Sequence, residues 1–170
     1  MIIELSIGNF LSVKEKVTLS LESGKSQANP QNLIELTKEK VVTLSESPRM
    51  SLLKSAAIYG PNASGKSNLI KAVYFLWALV KSSHTFNVDA KIPRIPYKMH
   101  QSYLKKPSTF EINFIHKKLR YLYGFSCTED KIIGEYLYYW PKGRKSLIFH
   151  RKNTACSMWI RSNKRQSRSR

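Results

Sequence analysis

Eight consecutive residues, Gly60-Pro61-Asn62-Ala63-Ser64-Gly65-Lys66-Ser67, have the types and spacing needed to hold a phosphate. They satisfy the pattern G-x-x-x-x-G-K-[ST] at every fixed position. The two glycines let the backbone curl so that successive N–H groups converge on anionic oxygens. Lys66 adds a mobile positive charge suited to the β- and γ-phosphates of a nucleotide, and the Ser67 hydroxyl is the expected Mg²⁺ ligand. A helix opening at this point would turn its positive end toward the same anion. A second G-K-S occurs at Gly24-Lys25-Ser26, but Leu19 stands where the first glycine must be, so that stretch is not such a loop.

Such a loop has to leave a buried strand and enter a helix. Upstream, Leu52-Leu53-Lys54-Ser55-Ala56-Ala57-Ile58-Tyr59 ends in a short apolar run that reads as the buried strand. Downstream, Leu69, Val73, Leu76, Trp77 and Val80 recur at helical spacing. This pattern predicts a helix that ends near Ser82-Ser83 and is buried on most sides.

The rest of the chain is mostly strand-like. Ile3, Leu5 and Ile7 alternate with Glu4 and Ser6, predicting a half-buried strand with the three apolar residues on one face. Val17, Leu19 and Leu21 predict a second strand that pairs with the first as a hairpin. Residues 22–31 read as a surface loop, and Val41-Val42-Thr43-Leu44 as a short edge strand. Pro93, Pro96 and Pro107 rule out a continuous helix over 84–108, leaving an extended connection. From 109 to 149, period-two runs at 110–114, 119–125, 132–140 and 147–149 are separated by tight turns, which predicts an antiparallel meander.

Composition sets the outer bounds. With 170 residues, 42% of them hydrophobic, the chain can build one domain with a real core. The net charge is +18. Seven of those charges lie in residues 151–170, which hold no acid, and the remaining +11 belongs to residues 1–150. The tail is basic, lacks sustained periodicity and is expected to be disordered, as an out-of-frame product would be. So basic a chain points to anionic partners, and nucleic acid is the usual one. Cys127 and Cys156 form no disulfide or metal framework and are expected to be reduced thiols of a cytoplasmic protein. The N-terminus has no basic region followed by a long apolar core, so no signal peptide is expected, and the most apolar stretch, interrupted by Lys71, is too short for a membrane span.

Four stretches, one of them the loop with its flanks, suggest a family. Ile7-Gly8-Asn9-Phe10-Leu11-Ser12-Val13 resembles the opening of P-loop ATPases of the RecF, RecN, SMC and OLD kind. Ile58 to Leu69, including Asn68 directly after the loop, is similar to their nucleotide-binding (Walker A) segment. Arg120 to Phe125 and Ile132 to Leu137 resemble strands of bacterial AAA-family ATPases similar to RloA and the abortive-infection ATPases. The resemblance covers residues 1–150. It implies an α/β P-loop NTPase with an ABC-ATPase-head-like core, an antiparallel β-subdomain beside it, and ATP with Mg²⁺ as cofactors. Residues 60–68 would then bind the nucleotide, two heads would sandwich ATP in a homodimer, and DNA or a partner nuclease would be candidate associates. The signature loop, the apolar strand ending in Asp-Glu and the switch histidine of a complete head are not found. Asp89, Glu111, Glu129, Asp130 and Glu135 follow no suitable strand, and His84, His100, His116 and His150 have no evident catalytic partner. The sequence therefore reads as the N-terminal part of a longer head.

A competing reading takes the chain as a basic nucleic-acid-binding module whose loop merely seats a phosphate. Tyr121, Tyr123, Tyr136, Tyr138 and Tyr139 lie among Lys117, Lys118, Arg120 and Lys142. Such aromatics can stack nucleobases, although cross-strand packing is the plainer role. A small-molecule kinase would need a lid and an acceptor site, and a GTPase a base-reading N-K-x-D; neither is found.

Overall fold

The computed structural model describes residues 1–24, 29–36, 50–82, 91–152 and 155–158. Its frame is a seven-stranded sheet. The strands are β1 (Ile2–Gly8), β2 (Val17–Ser20), β5 (Ser108–His116), β6 (Leu119–Cys127), β7 (Ile132–Tyr139), β8 (Ser146–Lys152) and β9 (Ala155–Met158), in the order β2-β1-β5-β6-β7-β8-β9. A separate two-stranded sheet pairs β3 (Leu33–Leu36) with β4 (Met50–Leu53). Two helices accompany them, α1 (Lys66–Ser82) and the short α2 (Gln101–Leu104). Among the described residues every strand pairing is antiparallel. The meander expected over 109–149 is therefore present, but it is continuous with β1 rather than a flank to a separate core.

One stripe of α1 packs on the sheet. Ala72, Phe75, Leu76 and Leu79, at helical spacing, meet Leu5, Ile7, Phe110, Phe125 and Cys127. The Phe10, Phe75, Phe110 and Phe125 rings form its centre, with centroids 5.0–5.3 Å apart. Each such pair adds about 0.5–1.5 kcal/mol beyond its buried area. Burial also pushes the Cys127 thiol up to about 12, against a lowering by Arg94, so it stays protonated and inert.

Several expectations are corrected. Ile3 does not share a face with Leu5 and Ile7. A bulge between Ile2 and Glu4 turns it to the opposite side, where it joins Leu36, Leu52 and Ile115 under the β3–β4 hairpin. The strand before the phosphate loop stops at Leu53; residues 54–61 have no regular structure and are exposed, with Tyr59 90% accessible. An apolar run needs sheet neighbours to become a buried strand, and among the described residues none stands beside this one. For the same reason α1 is not buried on most sides: Ile70, Tyr74 and Trp77 are 72%, 66% and 52% exposed. The stretch read as a disordered tail begins with order, since β8 runs to Lys152 and β9 pairs with it. Residues 159–170 and the strand expected at 41–44 lie outside the described residues.

Candidate functional site

The loop curls as its glycines require. Gly65 has φ +95°, and a Cβ there would lie 2.8 Å from Ser12 Oγ, so only glycine fits. Ala63 is also left-handed, at φ 62°. The Ser64 N–H donates to Pro61 O at 3.3 Å, and the Asn68 N–H to Gly65 O at 2.9 Å, which starts α1. The Lys66 ammonium donates to Gly60 O and Pro61 O, both at 2.6 Å, and sits 3.4 Å from Ser64 Oγ. Ser67 is exposed in the first turn of α1. All of residues 60–68 are thus brought together in one turn of chain.

The opening segment, whose role its spacing could not reveal, supports this loop from the side. Asn68 Nδ2 donates to Ser12 Oγ at 2.8 Å. Ser12 lies in a turn closed by the Asn9 N–H donating to Lys14 O at 3.2 Å, and Asn9 is a buried residue in left-handed conformation at φ 50°. Its amide donates to Tyr103 O at 2.9 Å and Lys106 O at 2.8 Å, while its Oδ1 accepts from the Tyr97 N–H at 3.0 Å. Ser108 Oγ donates to the Asn9 carbonyl at 2.6 Å, and the Leu11 N–H to Ile95 O at 2.8 Å. Asn9 therefore binds the extended connection after α1 to the end of β1. The sequence signal was present, in the Asn-Phe-x-Ser of the family-like opening, but only long-range contacts give it a role.

Loop and opening segment enclose a cavity of about 540 Å³ between Lys66, Gly65, Tyr59, Ser12, Lys14 and Val17. No carboxylate lines it among the described residues. The acids considered from sequence are committed elsewhere: Glu129 to Lys91 at 2.9 Å, Glu135 to Tyr123 and Arg151, both at 2.7 Å, and Glu111 to Lys16 at 3.0 Å and to the Tyr136 hydroxyl. Asp130 lies in the β6–β7 turn, and Asp89 and His84 fall outside the described residues. His100 caps α2, its Nδ1 accepting from the Ser102 N–H at 3.3 Å. No cluster of His, Cys, Asp or Glu that could hold a metal occurs among the described residues, where no helix is long and apolar enough to cross a membrane.

A glycine-bounded loop that opens a helix and sequesters a lysine defines a class, the P-loop nucleotide-binding proteins. The family model described as "AAA domain, putative AbiEii toxin, Type IV TA system" matches residues 55–167, well over half of the chain. The chain belongs to this family of AAA-type P-loop ATPase domains. No curated protein and no solved structure matches it.

Proposed function

We propose that the chain binds ATP with Mg²⁺ through residues 60–68, as the nucleotide-holding part of an ABC-like ATPase head acting in the cytoplasm. The observation that carries this reading is the Lys66 ammonium, held at 2.6 Å by two loop carbonyls. An ammonium has three donors, and the third makes only a long 3.4 Å contact to Ser64 Oγ, which a phosphate oxygen would replace. The residues fit the ligand: Gly65 lets the backbone close in, Ser67 is exposed to take the metal, and Val13, Val17 and the Tyr59 ring offer apolar surface to a base. Bound Mg²⁺ would supply charge neutralisation. The family match favours this reading over a loop that only seats a nucleic-acid phosphate.

Hydrolysis would need more than this chain supplies. Positioning and charge neutralisation are part of phosphoryl transfer, but the attacking water must also be oriented, and no carboxylate among the described residues lines the cavity. The exposed apolar run ending in Ile58 and Tyr59, together with the bare face of α1, supports the reading of the chain as the N-terminal part of a longer head. Such a head would pair with a second copy around ATP. DNA-linked or phage-defence roles, with DNA or a nuclease as partner, accord with the resemblance to RloA-like and OLD-like ATPases.

Calorimetry with Mg-ATP tests the site. Lys66→Ala is expected to abolish binding and leave the circular dichroism spectrum unchanged, because the side chain contacts only loop atoms. Undiminished affinity in the variant would remove the loop as the site. Phosphate release by the purified chain is expected to be near zero. Turnover of about one per second, lost in Lys66→Ala, would mean that one of the acids assigned here to ion pairs is catalytic.

A further inference from the structure

The face of the sheet turned away from α1 carries a feature that nucleotide binding does not use. Tyr136, Tyr138 and Trp140 stand at every second position along β7 and the residue after it, so they share one face. The Tyr136 and Tyr138 centroids lie 5.6 Å apart. Lys145 Nζ sits 4.2 Å above the Tyr138 ring and 5.8 Å from that of Trp140, and the Arg120 guanidinium carbon lies 4.7 Å over Trp140. Arg120 Nε donates to Asn113 Oδ1 at 3.0 Å, which holds its plane in place. Neither Arg120 nor Lys145 forms an ion pair among the described residues. Beyond Tyr136 the face continues as a cavity of about 500 Å³ bordered by Ser126, Lys16 and Lys152.

Core packing does not account for this ladder. The sheet's cross-strand stacking is on the other face, where Phe114, Tyr121 and Tyr139 follow one another at 5.4 and 6.3 Å. On the outer face the β3–β4 hairpin covers only the region of Ile3 and Ile115. The three rings remain half-exposed; cations lie over Tyr138 and Trp140, while the Tyr136 hydroxyl donates to Glu111.

We propose that this face binds single-stranded nucleic acid. Bases would stack along Tyr136, Tyr138 and Trp140, with backbone phosphates on Arg120, Lys145 and, farther along, Lys152. A row of π-faces beside unpaired cations suits splayed bases, whereas a duplex keeps its base faces covered. An acidic peptide would use the cations but has no need of the rings. The site is remote from the phosphate loop: three successive antiparallel pairings make β7 run opposite to β1, so Trp140 lies at the end of the sheet away from Ser12.

Fluorescence anisotropy of the full chain with a labelled single-stranded oligodeoxythymidylate of roughly 16 nucleotides tests this. Trp140→Leu and Tyr138→Leu are each expected to weaken binding about 5- to 150-fold, the range for loss of one stacked base, while Trp140→Phe retains most of the affinity. Lys145→Gln should flatten the dependence of log affinity on log salt by about 0.7. Lys66→Ala should bind the oligonucleotide as the parent does, so the two sites stand or fall separately. Equal binding by folded leucine variants, equal binding of the duplex, or equal competition by polyglutamate of the same length would overturn the proposal. Should Trp140→Leu misfold, Tyr138→Leu and Lys145→Gln decide the matter.

Discussion

Asn9 holds the candidate site together at the scale of single residues. Its one side chain donates to the Tyr103, Lys106 and Pro107 carbonyls and accepts from the Tyr97 N–H, and its backbone N–H closes the turn that carries Ser12. Removing the amide takes the donor from Tyr103 O and the acceptor from the part-buried Tyr97 N–H, while Lys106 O keeps its bond from Arg94. Asn9→Ala is expected to cost about 2–3 kcal/mol, which for a chain of this size lowers the melting temperature by roughly 4–12 °C. Thermal melts followed by circular dichroism measure this. A shift under about 1 °C would mean that water replaces the side chain without loss and that Asn9 is not the hub described.

Among the elements, β5, β6 and β7 are registered by a polar row on the outer face. Glu111, Gly124 and Tyr136 lie side by side across three strands. A Cβ on Gly124 would overlap the Tyr136 ring, so glycine lets the phenol lie flat across β6 and reach Glu111. Burial raises the Glu111 carboxyl, but hydrogen bonds from Tyr136 and Lys16 outweigh it and hold the group below its usual range. A carboxylate with a folded pKa below its unfolded one stabilises the fold at neutral pH, and this contribution is lost as pH falls through the folded value. Glu111→Gln should therefore narrow the stability difference between neutral and strongly acidic solution. Gly124→Ala, which forces the phenol away, should narrow it in the same direction. Urea titrations at both pH values provide the comparison, and an unchanged acid dependence in both variants would rule out the row as an acid-sensitive tie.

For the whole molecule, the question is where the fold ends. The sequence from 153 onward lacks periodicity and was expected to add nothing, yet β9 closes the far edge of the sheet on β8. A chain cut after Lys152 loses that ladder and leaves β8 as a bare edge. It is expected to melt several degrees lower, at about 2–4 °C per kcal/mol, and to aggregate more readily. A chain cut after Lys152 that melts with the full-length protein would show that the pairing contributes nothing.

The phosphate loop, the start of α1 and the meander were all legible from sequence. Each depends on local chemistry: glycines that permit left-handed turns, a helical apolar stripe, and period-two alternation broken by turn residues. Only the tertiary structure decided the rest. The bulge that sends Ile3 to the second cluster depends on how β1 meets β5, which no pattern within β1 encodes. The apolar run before the loop has the composition of a buried strand, but burial needs neighbours, and none stands beside Ile58 and Tyr59 among the described residues. Asn9 and Ser12 gained their roles from partners up to 99 residues away in the chain, including Tyr103, Lys106, Ser108 and Asn68. Sequence determined what each segment tends to form; side-chain contacts between distant segments determined which face was buried and which residues meet at the site.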